Sequence, residues 1–499
     1  MIVKVKDKNG EQSLEVPKDE SGFYKKIAEK VTALPFPNDV TVTIAGRTIQ
    51  YTMEERGGTC NIQETFNDIQ FKEPGEYPKC YLTYADFVSA EKKAKEERGE
   101  LKLGGDYGSY KFYSLESEDD RIKASWGSMR GIGKSKSCYY KRSMYWIKYY
   151  EKINKGYVDN SEAYVEKEQP EAKVALPKLR LPEKEKHAVN PLAQRLYNLL
   201  SNSSIQLIKR SVKSMHVTQG MVNESKKYLN QLYNTVDIEA FNHILLKLCM
   251  VCPRKVWDMK DLMAKSAKDI NKVLEREEDL VSAMEGLLLK QQSASVDDIK
   301  PDEKADPFKE IGIEISAPSK ADTEKVYKML PDELRSKVAN VYKVNCPEHA
   351  ERFEKYCNQN GIDKNHTKFL WHGSRNENWL SIIKLGLLLK PNAQITGKMF
   401  GNGIYFAPKA KKSWNYTSYR GAFYTNGSSS FAVMGVYETA YGEPYHPTRG
   451  ENWNFTQLFL KKSGKNCVHA EGGTCGLIND EIIFYDEGAM CLRYVVEFR

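Results

Sequence analysis

Apolar and polar residues alternate in two stretches near the start of the chain, and a helical pattern lies between them. Val3 and Val5 alternate with charged residues, and the sequence Asn9-Gly10 is typical of a hairpin turn. Apolar residues at helical spacing follow over 21–31, and a second alternating stretch covers 40–44. This order predicts a small α+β module, which we place at residues 1–98 and to which the pattern assigns no role.

A much longer helical pattern covers residues 191–290. Leucines and other apolar residues recur there at three- and four-residue spacing, and proline is rare. Asp237 is placed to cap one helix, and Pro253 is placed to end it. The economical arrangement is a helical bundle. Two polar stretches flank this range, and we interpret 159–190 and 291–310 as linkers.

Two apolar runs in the last third of the chain are joined to glycines. Residues 369–371 are apolar and lead into His372 and Gly373, and glycines precede the apolar run around Tyr405. A glycine without a Cβ lets a ligand approach the backbone directly. An isolated histidine or tyrosine in such a place is more often a core residue. Two strand ends at one pocket would instead bring His372 and Tyr405 together.

Composition restricts the class of protein. A chain of 499 residues exceeds one hydrophobic core, so two to four domains are expected. With 40% hydrophobic and 28% charged residues, it is typical of a globular protein. No stretch approaches the ~20 apolar residues of a membrane span, and the first residues lack the apolar region of a signal peptide. We expect an intracellular protein without a membrane partner.

Cysteine spacing predicts neither a disulfide framework nor a metal site. The ten cysteines are scattered, which suits a reducing compartment. Cys249 and Cys252 form the only close pair, and no second pair or histidine stands at ligand spacing. We therefore expect no metal.

Positive charge is concentrated in residues 121–155. This segment holds ten lysines and arginines against Glu151 alone, a surplus of nine, whereas the whole chain carries +8. Tyrosines and tryptophans lie between these cations, a composition suited to binding phosphates and stacking on bases. The alternative, a solvated basic helix over an aromatic core, stays open at this stage.

Three motifs near the C-terminus resemble the catalytic domain of the poly(ADP-ribose) polymerases. They are the sequence 372–375, the glycine-rich sequence 396–407 with Ser413 and Tyr416 after it, and the sequence 479–486. They occur in the family's order over residues 311–499. The resemblance implies a mixed α/β ADP-ribosyltransferase fold and the transfer of ADP-ribose from NAD to protein acceptors, with the chain itself among the candidate acceptors. The sequence 401–403 lacks the third glycine of a Rossmann fingerprint, so NAD is expected as a consumed substrate.

Glu481 is the candidate catalytic carboxylate. The reaction has an oxocarbenium-like transition state, which a carboxylate stabilises as it does in glycosidases. Asp480 is the local competitor. The family's glutamate lies five residues before the aspartate of a Tyr-Asp pair, and counting from Asp486 selects Glu481. The resemblance adds His372 and Tyr405 to the catalytic set.

The resemblance also implies how NAD is bound. His372 would hydrogen-bond the adenosine ribose, and Ser374 would contact the adenosine side. Gly373 would offer its backbone, and Ser413 its hydroxyl, to the nicotinamide carboxamide. Aromatic rings favour a cation, and the rings expected to enclose the nicotinamide are Tyr405 and Tyr416. Leu388 stands where several family members have an arginine for adenosine.

Residues 99–158 resemble a WGR domain, a small sheet-and-helix module that accompanies several of these polymerases. Ser128 and Met129 separate Trp126-Gly127 from Arg130-Gly131, whereas the family sequence is uninterrupted. The resemblance implies contact with broken or nicked DNA. The candidate DNA-binding residues are Trp126, Arg130, Lys134, Lys136, Lys141 and Arg142. By position, residues 191–290 resemble the family's helical regulatory domain.

The sequence therefore predicts a multidomain α+β protein. We expect an NAD-dependent poly(ADP-ribose) polymerase stimulated by DNA, located in the nucleus if the source is eukaryotic and otherwise in the cytoplasm. Two alternatives remain: a mono-ADP-ribosyltransferase, and a non-catalytic DNA-binding scaffold.

Overall fold

The structure is a computed structural model, and it describes residues 1–34, 39–44, 47–56, 59–67, 76–86, 109–128, 135–164, 190–212, 216–256, 259–288, 293–295, 306–390 and 398–499. The chain divides into two compact units. The first is Met1–Glu168 with Cys249–Asp261, and the second is Gln169–Leu248 with Leu262–Arg499. In the described ranges, no helix has the length and apolar character needed to cross a membrane.

The helices of the described residues are α1 (Glu20–Thr32), α2 (Tyr145–Ile153), α3 (Ser161–Tyr164), α4 (Pro191–Ser211), α5 (Gln219–Tyr233), α6 (Ile238–Val251), α7 (Ala267–Leu287), α8 (Lys320–Lys328), α9 (Asp332–Arg335), α10 (Pro347–Gln359), α11 (Trp379–Leu385), α12 (Ala410–Trp414) and α13 (Gln457–Lys462). Short 3-10 helices occur at Arg142–Met144, Met259–Leu262, Lys309–Ile311, Lys364–His366, Asn376–Asn378 and Glu487–Ala489.

The strands of the first unit are β1 (Ile2–Asp7), β2 (Gly10–Glu15), β3 (Asp39–Ile44), β4 (Arg47–Arg56), β5 (Thr59–Asn67), β6 (Cys80–Asp86), β7 (Ser109–Glu118), β8 (Arg121–Ser128), β9 (Lys136–Lys141) and β10 (Val158–Asp159). Those of the second unit are β11 (His216–Thr218), β12 (Ser293–Ser295), β13 (Glu314–Ser316), β14 (Val338–Asn345), β15 (Lys368–Gly373), β16 (Ile404–Phe406), β17 (Ala432–Thr439), β18 (Pro444–Tyr445), β19 (Cys467–Ala470), β20 (Glu481–Phe484) and β21 (Met490–Phe498).

The first unit contains two five-stranded sheets. The alternating sequence at the N-terminus forms the β1–β2 hairpin, and this sheet has the order β2-β1-β3-β4-β5. The second sheet has the order β10-β6-β7-β8-β9. Its strand β6 pairs with β7 from Cys80 opposite Leu115 to Asp86 opposite Ser109. The expected boundary at residue 98 therefore falls between two paired strands of one sheet.

Helices α1 and α2 pack against each other in the first unit. Tyr150 donates a hydrogen bond to Glu29 at 2.6 Å, and the Asn154 amide donates to the backbone oxygen of Thr32 at 3.0 Å. Phe23 and Tyr145 are fully buried in a core that includes side chains from both sheets. A single hydrophobic core thus joins the N-terminal module to the sheet that follows it.

The second unit holds two sheets that meet beside the glycine-rich motifs. One has the order β13-β14-β21-β17-β15, and the other has the order β16-β20-β19-β18. Trp371 and Ala407 exchange two backbone hydrogen bonds of 2.9 and 3.0 Å, which link β15 to the end of β16. The two apolar runs next to glycines therefore form strands β15 and β16, which are adjacent at this bridge.

Helices α4, α5 and α7 belong to the same unit, and α4 packs into its core. Asn190 caps α4, Thr218 caps α5, and Ser266 with Asp269 forms a capping box at the start of α7. Leu196 and Leu200 of α4 belong to the buried cluster that contains residues of α11. Helix α7 approaches α11 closely, because a Cβ on Gly286 would lie 2.9 Å from the Leu380 side chain.

Candidate active site

His372 stands at the end of β15 as a neutral imidazole. Its Nδ1 lies 3.0 Å from the backbone oxygen of Tyr405. A carbonyl oxygen accepts only, so Nδ1 carries the proton and Nε2 is left as an acceptor. Burial lowers the pKa of His372 to about 4, so the ring is uncharged near neutral pH. The ring can therefore accept a hydrogen bond from a ligand hydroxyl.

Gly373 allows β15 and helix α12 to approach each other. A Cβ at this position would lie 1.9 Å from the backbone oxygen of Ser413, so any other residue would push the two elements apart. The buried Ser413 hydroxyl donates to the backbone oxygen of Trp371 at 3.0 Å. Its oxygen retains lone pairs that can accept a hydrogen bond from a ligand amide.

The Tyr405 ring is fixed by its own glycine-rich loop. Its hydroxyl donates to the Gly401 oxygen at 2.9 Å and accepts from the Phe400 amide at 3.0 Å. Tyr416 is 40% exposed, and its ring stacks on Tyr424 with centroids 4.6 Å apart. One tyrosine is thus held inside the site, and the other forms part of its rim.

Glu481 begins strand β20 and is paired with a lysine. The Nζ atom of Lys412 lies 2.7 Å from Glu481 Oε1 and donates to the Asn479 oxygen at 3.0 Å. Asp480 is held elsewhere, because its carboxylate lies 3.1 Å from His469 Nε2 and accepts the Gly472 amide at 2.9 Å. Of the two candidate carboxylates, Glu481 is the one that lines the cavity described next.

A cavity of about 790 Å³ gathers the candidate residues of all three C-terminal motifs. Its wall includes His372, Gly373, Ser374, Tyr405, Ser413, Tyr416 and Glu481. Ser374 accepts a hydrogen bond from the Asn378 amide at 3.2 Å. Leu388, expected at a position where several family members have an arginine, also lines the cavity and is 45% exposed. A volume of this size is in the range of small-molecule sites.

Helix α7 forms another wall of the same cavity, which the sequence did not reveal. Asp279 pairs with Arg375 at 2.9 Å and accepts from Asn378 at 2.7 Å. Glu285 accepts from the Ser381 hydroxyl at 3.0 Å. Burial raises the pKa of Asp279 to about 7, although the neighbouring Arg375 opposes that rise. The one sequence signal for this wall is a run of acidic residues within a helical pattern.

Three lysines at the cavity were also missed. Lys412 immediately precedes the predicted Ser413, and Lys398 lies within the glycine-rich motif, so both positions were visible in the sequence. Lys390 forms an ion pair with Glu278 of α7. Lys412 and Lys390 bind carboxylates that are distant in sequence, and Lys398 binds the backbone oxygen of Gly403. The spacing of residues along the chain does not show these contacts.

The basic segment of the first unit divides into exposed and internal cations. Lys136 and Lys141 lie on β9 with exposed side chains. Trp126 lies opposite Lys136 in the sheet and stacks on Tyr113 with centroids 6.4 Å apart. Arg130 and Lys134 lie outside the described residues. Lys136 and Lys141 are five positions apart, so their side chains point to opposite faces of the strand, and Trp126 shares the face of Lys136.

Other cations of this segment make contacts that stabilise the fold of the first unit. Lys148 is buried, pairs with Glu151 at 3.2 Å and lies 4.9 Å from the centre of the Tyr140 ring. Arg142 donates to the Asp119 oxygen at 3.2 Å and packs over the Tyr77 ring at 4.7 Å. The surplus of nine charges therefore overstates what this segment can present to a polyanion.

A titratable cluster of metal-ligand type is not seen in the described part of the chain. No group of three or more His, Cys, Asp or Glu side chains there is arranged to hold an ion.

Comparison with known proteins supports the resemblance of the C-terminal region. Residues 320–445 match the family described as "Poly(ADP-ribose) polymerase catalytic domain". This range includes His372, Tyr405 and Ser413, whereas Glu481 lies beyond it. The chain is also similar to a poly(ADP-ribose) polymerase-like protein, 100L of Invertebrate iridescent virus 6. The two are 29% identical over 169 residues, which are 32% of this chain and 86% of the viral protein.

Two further relatives match shorter shares of their own length. Poly(ADP-ribose) polymerase 2 of Arabidopsis thaliana is 29% identical over 187 residues, 32% of this chain and 28% of the plant protein. Poly(ADP-ribose) polymerase 2 of Homo sapiens is 53% identical over 55 residues, 11% of this chain and 9% of the human protein. The chain thus covers less than a third of either of these longer relatives.

Proposed function

Because this chain belongs to the poly(ADP-ribose) polymerase family, we propose that it transfers ADP-ribose from NAD to protein acceptors and releases nicotinamide. The observation that carries the proposal is the cavity in which His372, Ser413 and Glu481 meet. These residues come from three separate motifs, and a structural role would not require them to line one space.

In this reaction the bond between the ribose C1′ and the nicotinamide nitrogen breaks. The electron pair leaves with nicotinamide, which becomes neutral, and the acceptor nucleophile forms the new bond to C1′. Glu481 stabilises the positive charge that develops on the ribose and orients the nucleophile. Lys412 fixes the Glu481 carboxylate through the 2.7 Å ion pair. The neutral His372 accepts a hydroxyl of the adenosine ribose at Nε2.

The product we propose is a polymer, because His372, Tyr405 and Glu481 form the family's polymer-competent set. A mono-ADP-ribosyltransferase is the second candidate, since the same cavity supports a single transfer. Incubation with labelled NAD, with and without broken duplex DNA, separates the candidates. Long chains support the polymerase, one unit per acceptor supports the mono-transferase, and DNA binding with no label transfer would leave only the non-catalytic scaffold.

We also propose that broken or nicked DNA stimulates the enzyme through residues 99–158. The support is strand β9, which carries the exposed Lys136 and Lys141 and has Trp126 opposite Lys136 on the neighbouring strand. Cations of this kind neutralise phosphates, and rings stack on unpaired bases. A protein that responds to DNA would work in the nucleus of a eukaryotic source or in the cytoplasm of another.

The helical segment would restrain the enzyme until DNA binds. The support is local: Asp279 and Glu285 of α7 bond to Arg375 and Ser381 beside the cavity. A preference of ~3 kcal/mol for this closed arrangement would reduce DNA-free activity more than a hundredfold. DNA would act by favouring an arrangement in which these contacts are broken.

A further inference from the structure

Lys390 and Lys398 line the same cavity as His372 and Ser374. Lys398 donates to the Gly403 oxygen at 2.9 Å, and its ammonium lies 5.6 Å from the centre of the Tyr405 ring. Burial is the main cause of the lowered pKa of Lys390 and of His372, and the charge of Lys398 lowers both pKa values further. Neither lysine has a role in the functions assigned above.

The environment of these lysines is unfavourable for two cations. Enclosure by the cavity wall lowers the pKa of Lys390 to about 7, and burial lowers the pKa of Lys398. The Lys390 side chain is 38% exposed and so is only partly removed from water, but two neighbouring cations still repel each other unless an anion lies nearby. The site therefore calls for an anionic partner.

In this arrangement the partner is a carboxylate of helix α7. Glu278 forms an ion pair with Lys390 and accepts a hydrogen bond from the Tyr233 hydroxyl. Burial raises the pKa of Glu278 to about 8, and the nearby charge of Lys398 opposes that rise. Glu275 lines the same cavity, and its charge raises the pKa of Lys390 against the effect of burial. These carboxylates come from the helix that borders the cavity, so they leave the lysines whenever that helix moves away.

We propose that Lys390 and Lys398 form a subsite for the pyrophosphate of NAD, and that Glu278 occupies this subsite in place of the pyrophosphate. This inference rests on the proposed function. The pyrophosphate links the two riboses, and both lysines line the cavity that contains His372, the residue assigned to the adenosine ribose. Its two negative charges match the two ammonium groups, and phosphate oxygens form strong charge-assisted hydrogen bonds with lysine. Glu278 thus competes directly with the substrate for the same cations.

The test is equilibrium binding to the full chain by calorimetry. One probe is carba-NAD, whose carbocyclic ring prevents cleavage, and the other is benzamide, which fits the nicotinamide end and carries no phosphate. Lys390→Met and Lys398→Met should each weaken carba-NAD about tenfold, the effect of one charged hydrogen bond, and leave benzamide unchanged. Lys398→Arg should retain most of the affinity for carba-NAD.

Glu278→Gln should tighten carba-NAD binding, because the lysines lose their competitor. Glu239→Gln, which removes an exposed carboxylate of α6 away from the cavity, is the matched control and should change nothing. In the Lys390→Met background the effect of Glu278→Gln should largely disappear. If Glu278→Gln tightens carba-NAD binding equally in the Lys390→Met background, Glu278 acts by fixing the position of helix α7. That result would contradict competition between Glu278 and the pyrophosphate.

The remaining outcomes distinguish failure of the pyrophosphate subsite from failure of the proposed ADP-ribose transfer. If the wild-type chain transfers ADP-ribose while the lysine variants bind carba-NAD with wild-type affinity, the subsite is wrong and the proposed function stands. Equal losses of carba-NAD and benzamide would also overturn it, because they indicate general damage to the cavity. A wild-type chain that binds neither probe would contradict both.

Discussion

The ammonium group of Lys412 lies 2.7 Å from Oε1 of Glu481, although one residue belongs to a short helix and the other to a strand much later in the chain. The ion pair gives the Glu481 carboxylate a defined direction in the cavity. The neighbouring Asp480 is bound by His469 instead, so two adjacent acidic residues have separate roles.

Glu481→Gln should therefore retain the fold and carba-NAD binding while losing ADP-ribose transfer. An amide cannot supply the charge that stabilises the transition state, and we expect a decrease of about a hundredfold or more in rate. Asp480→Asn is the matched control, because it removes a charge one residue away, and it should keep most of the activity. The measurement is the initial rate of label transfer from NAD. Wild-type rates in Glu481→Gln would refute the catalytic assignment.

His372 should remain neutral well below the pH at which histidine ordinarily titrates. Its pKa falls to about 4 in the folded protein, so between pH 6.5 and 4 the unfolded chain binds a proton that the folded chain does not. Stability should consequently fall as the pH decreases through that window. In His372→Gln this part of the loss should be absent. Urea unfolding of both proteins at pH 7 and pH 5 measures it, and equal losses in the two would show that the ring is not buried as a neutral group.

The buried Glu497 should make the second unit sensitive to acid. Burial alone would raise its pKa, but hydrogen bonds from Arg195, Tyr342, Arg499 and Asn340 lower the pKa to about 2. A depressed carboxyl pKa gives stability that is present above the ordinary glutamate value and is lost as the pH falls toward 2. Arg195→Met removes the partner from α4 and should lower the free energy of unfolding at pH 7 more than at pH 3. A loss that is the same at both pH values would contradict the assignment.

Breaking the contacts of helix α7 should raise activity in the absence of DNA. Asp279→Ala removes the partner of Arg375 and Asn378, so the closed arrangement loses stability and the basal rate should increase several-fold toward the DNA-stimulated rate. The rate with saturating DNA should change little. Glu239→Gln again serves as the control. An unchanged basal rate in a folded Asp279→Ala chain would favour a helical segment without a regulatory role.

This variant is a sharper test than a catalytic fragment of residues 311–499. Leu196 and Leu200 of α4 share a buried cluster with Trp379 and Ile383, so removal of the helical segment would expose apolar surface of the catalytic part. The fragment should still transfer ADP-ribose without DNA and faster than the DNA-free chain if it folds. A circular dichroism spectrum and a cooperative melt are needed before its rate is interpreted.

DNA binding by the full chain should depend steeply on salt through the exposed lysines of β9. Each lysine that no longer neutralises a phosphate reduces the slope of log K against log salt by about 0.9, so Lys136→Ala with Lys141→Ala should reduce it by about 2 if both bind phosphate. Lys148→Ala is the matched control, because that lysine is buried against Glu151 and should affect stability instead. An unchanged slope in the double variant would exclude the β9 lysines from the DNA site.

Short-range patterns were sufficient for the strand ends of the cavity. Residues 369–371 and 404–407 are apolar and adjoin glycines, and this is enough to predict two buried strands with polar groups at their ends. The bridge between Trp371 and Ala407, which sets His372 beside Tyr405, is a long-range contact and was inferred only as the simplest arrangement.

Contacts made by long polar side chains could not be predicted from the sequence. Asp279 and Arg375 lie far apart along the chain, and nothing in an amphipathic helix identifies which of its carboxylates will meet a cation of another element. The charge of residues 121–155 shows the same limit, since composition does not distinguish the exposed Lys136 from the buried Lys148. Burial depends on the sheet against which each residue packs.

The pairing of β6 with β7 has a practical consequence for any dissection of the first unit. A chain that begins at residue 99 would lack β6, and the backbone N–H and C=O groups of β7 that now bond to it would become an open edge. Such edges join to each other and cause proteins to self-associate. Buried Leu82 would be lost at the same time. An isolated fragment of residues 99–158 is therefore expected to form oligomers or to precipitate, whereas one that begins near residue 76 keeps the sheet closed on that side.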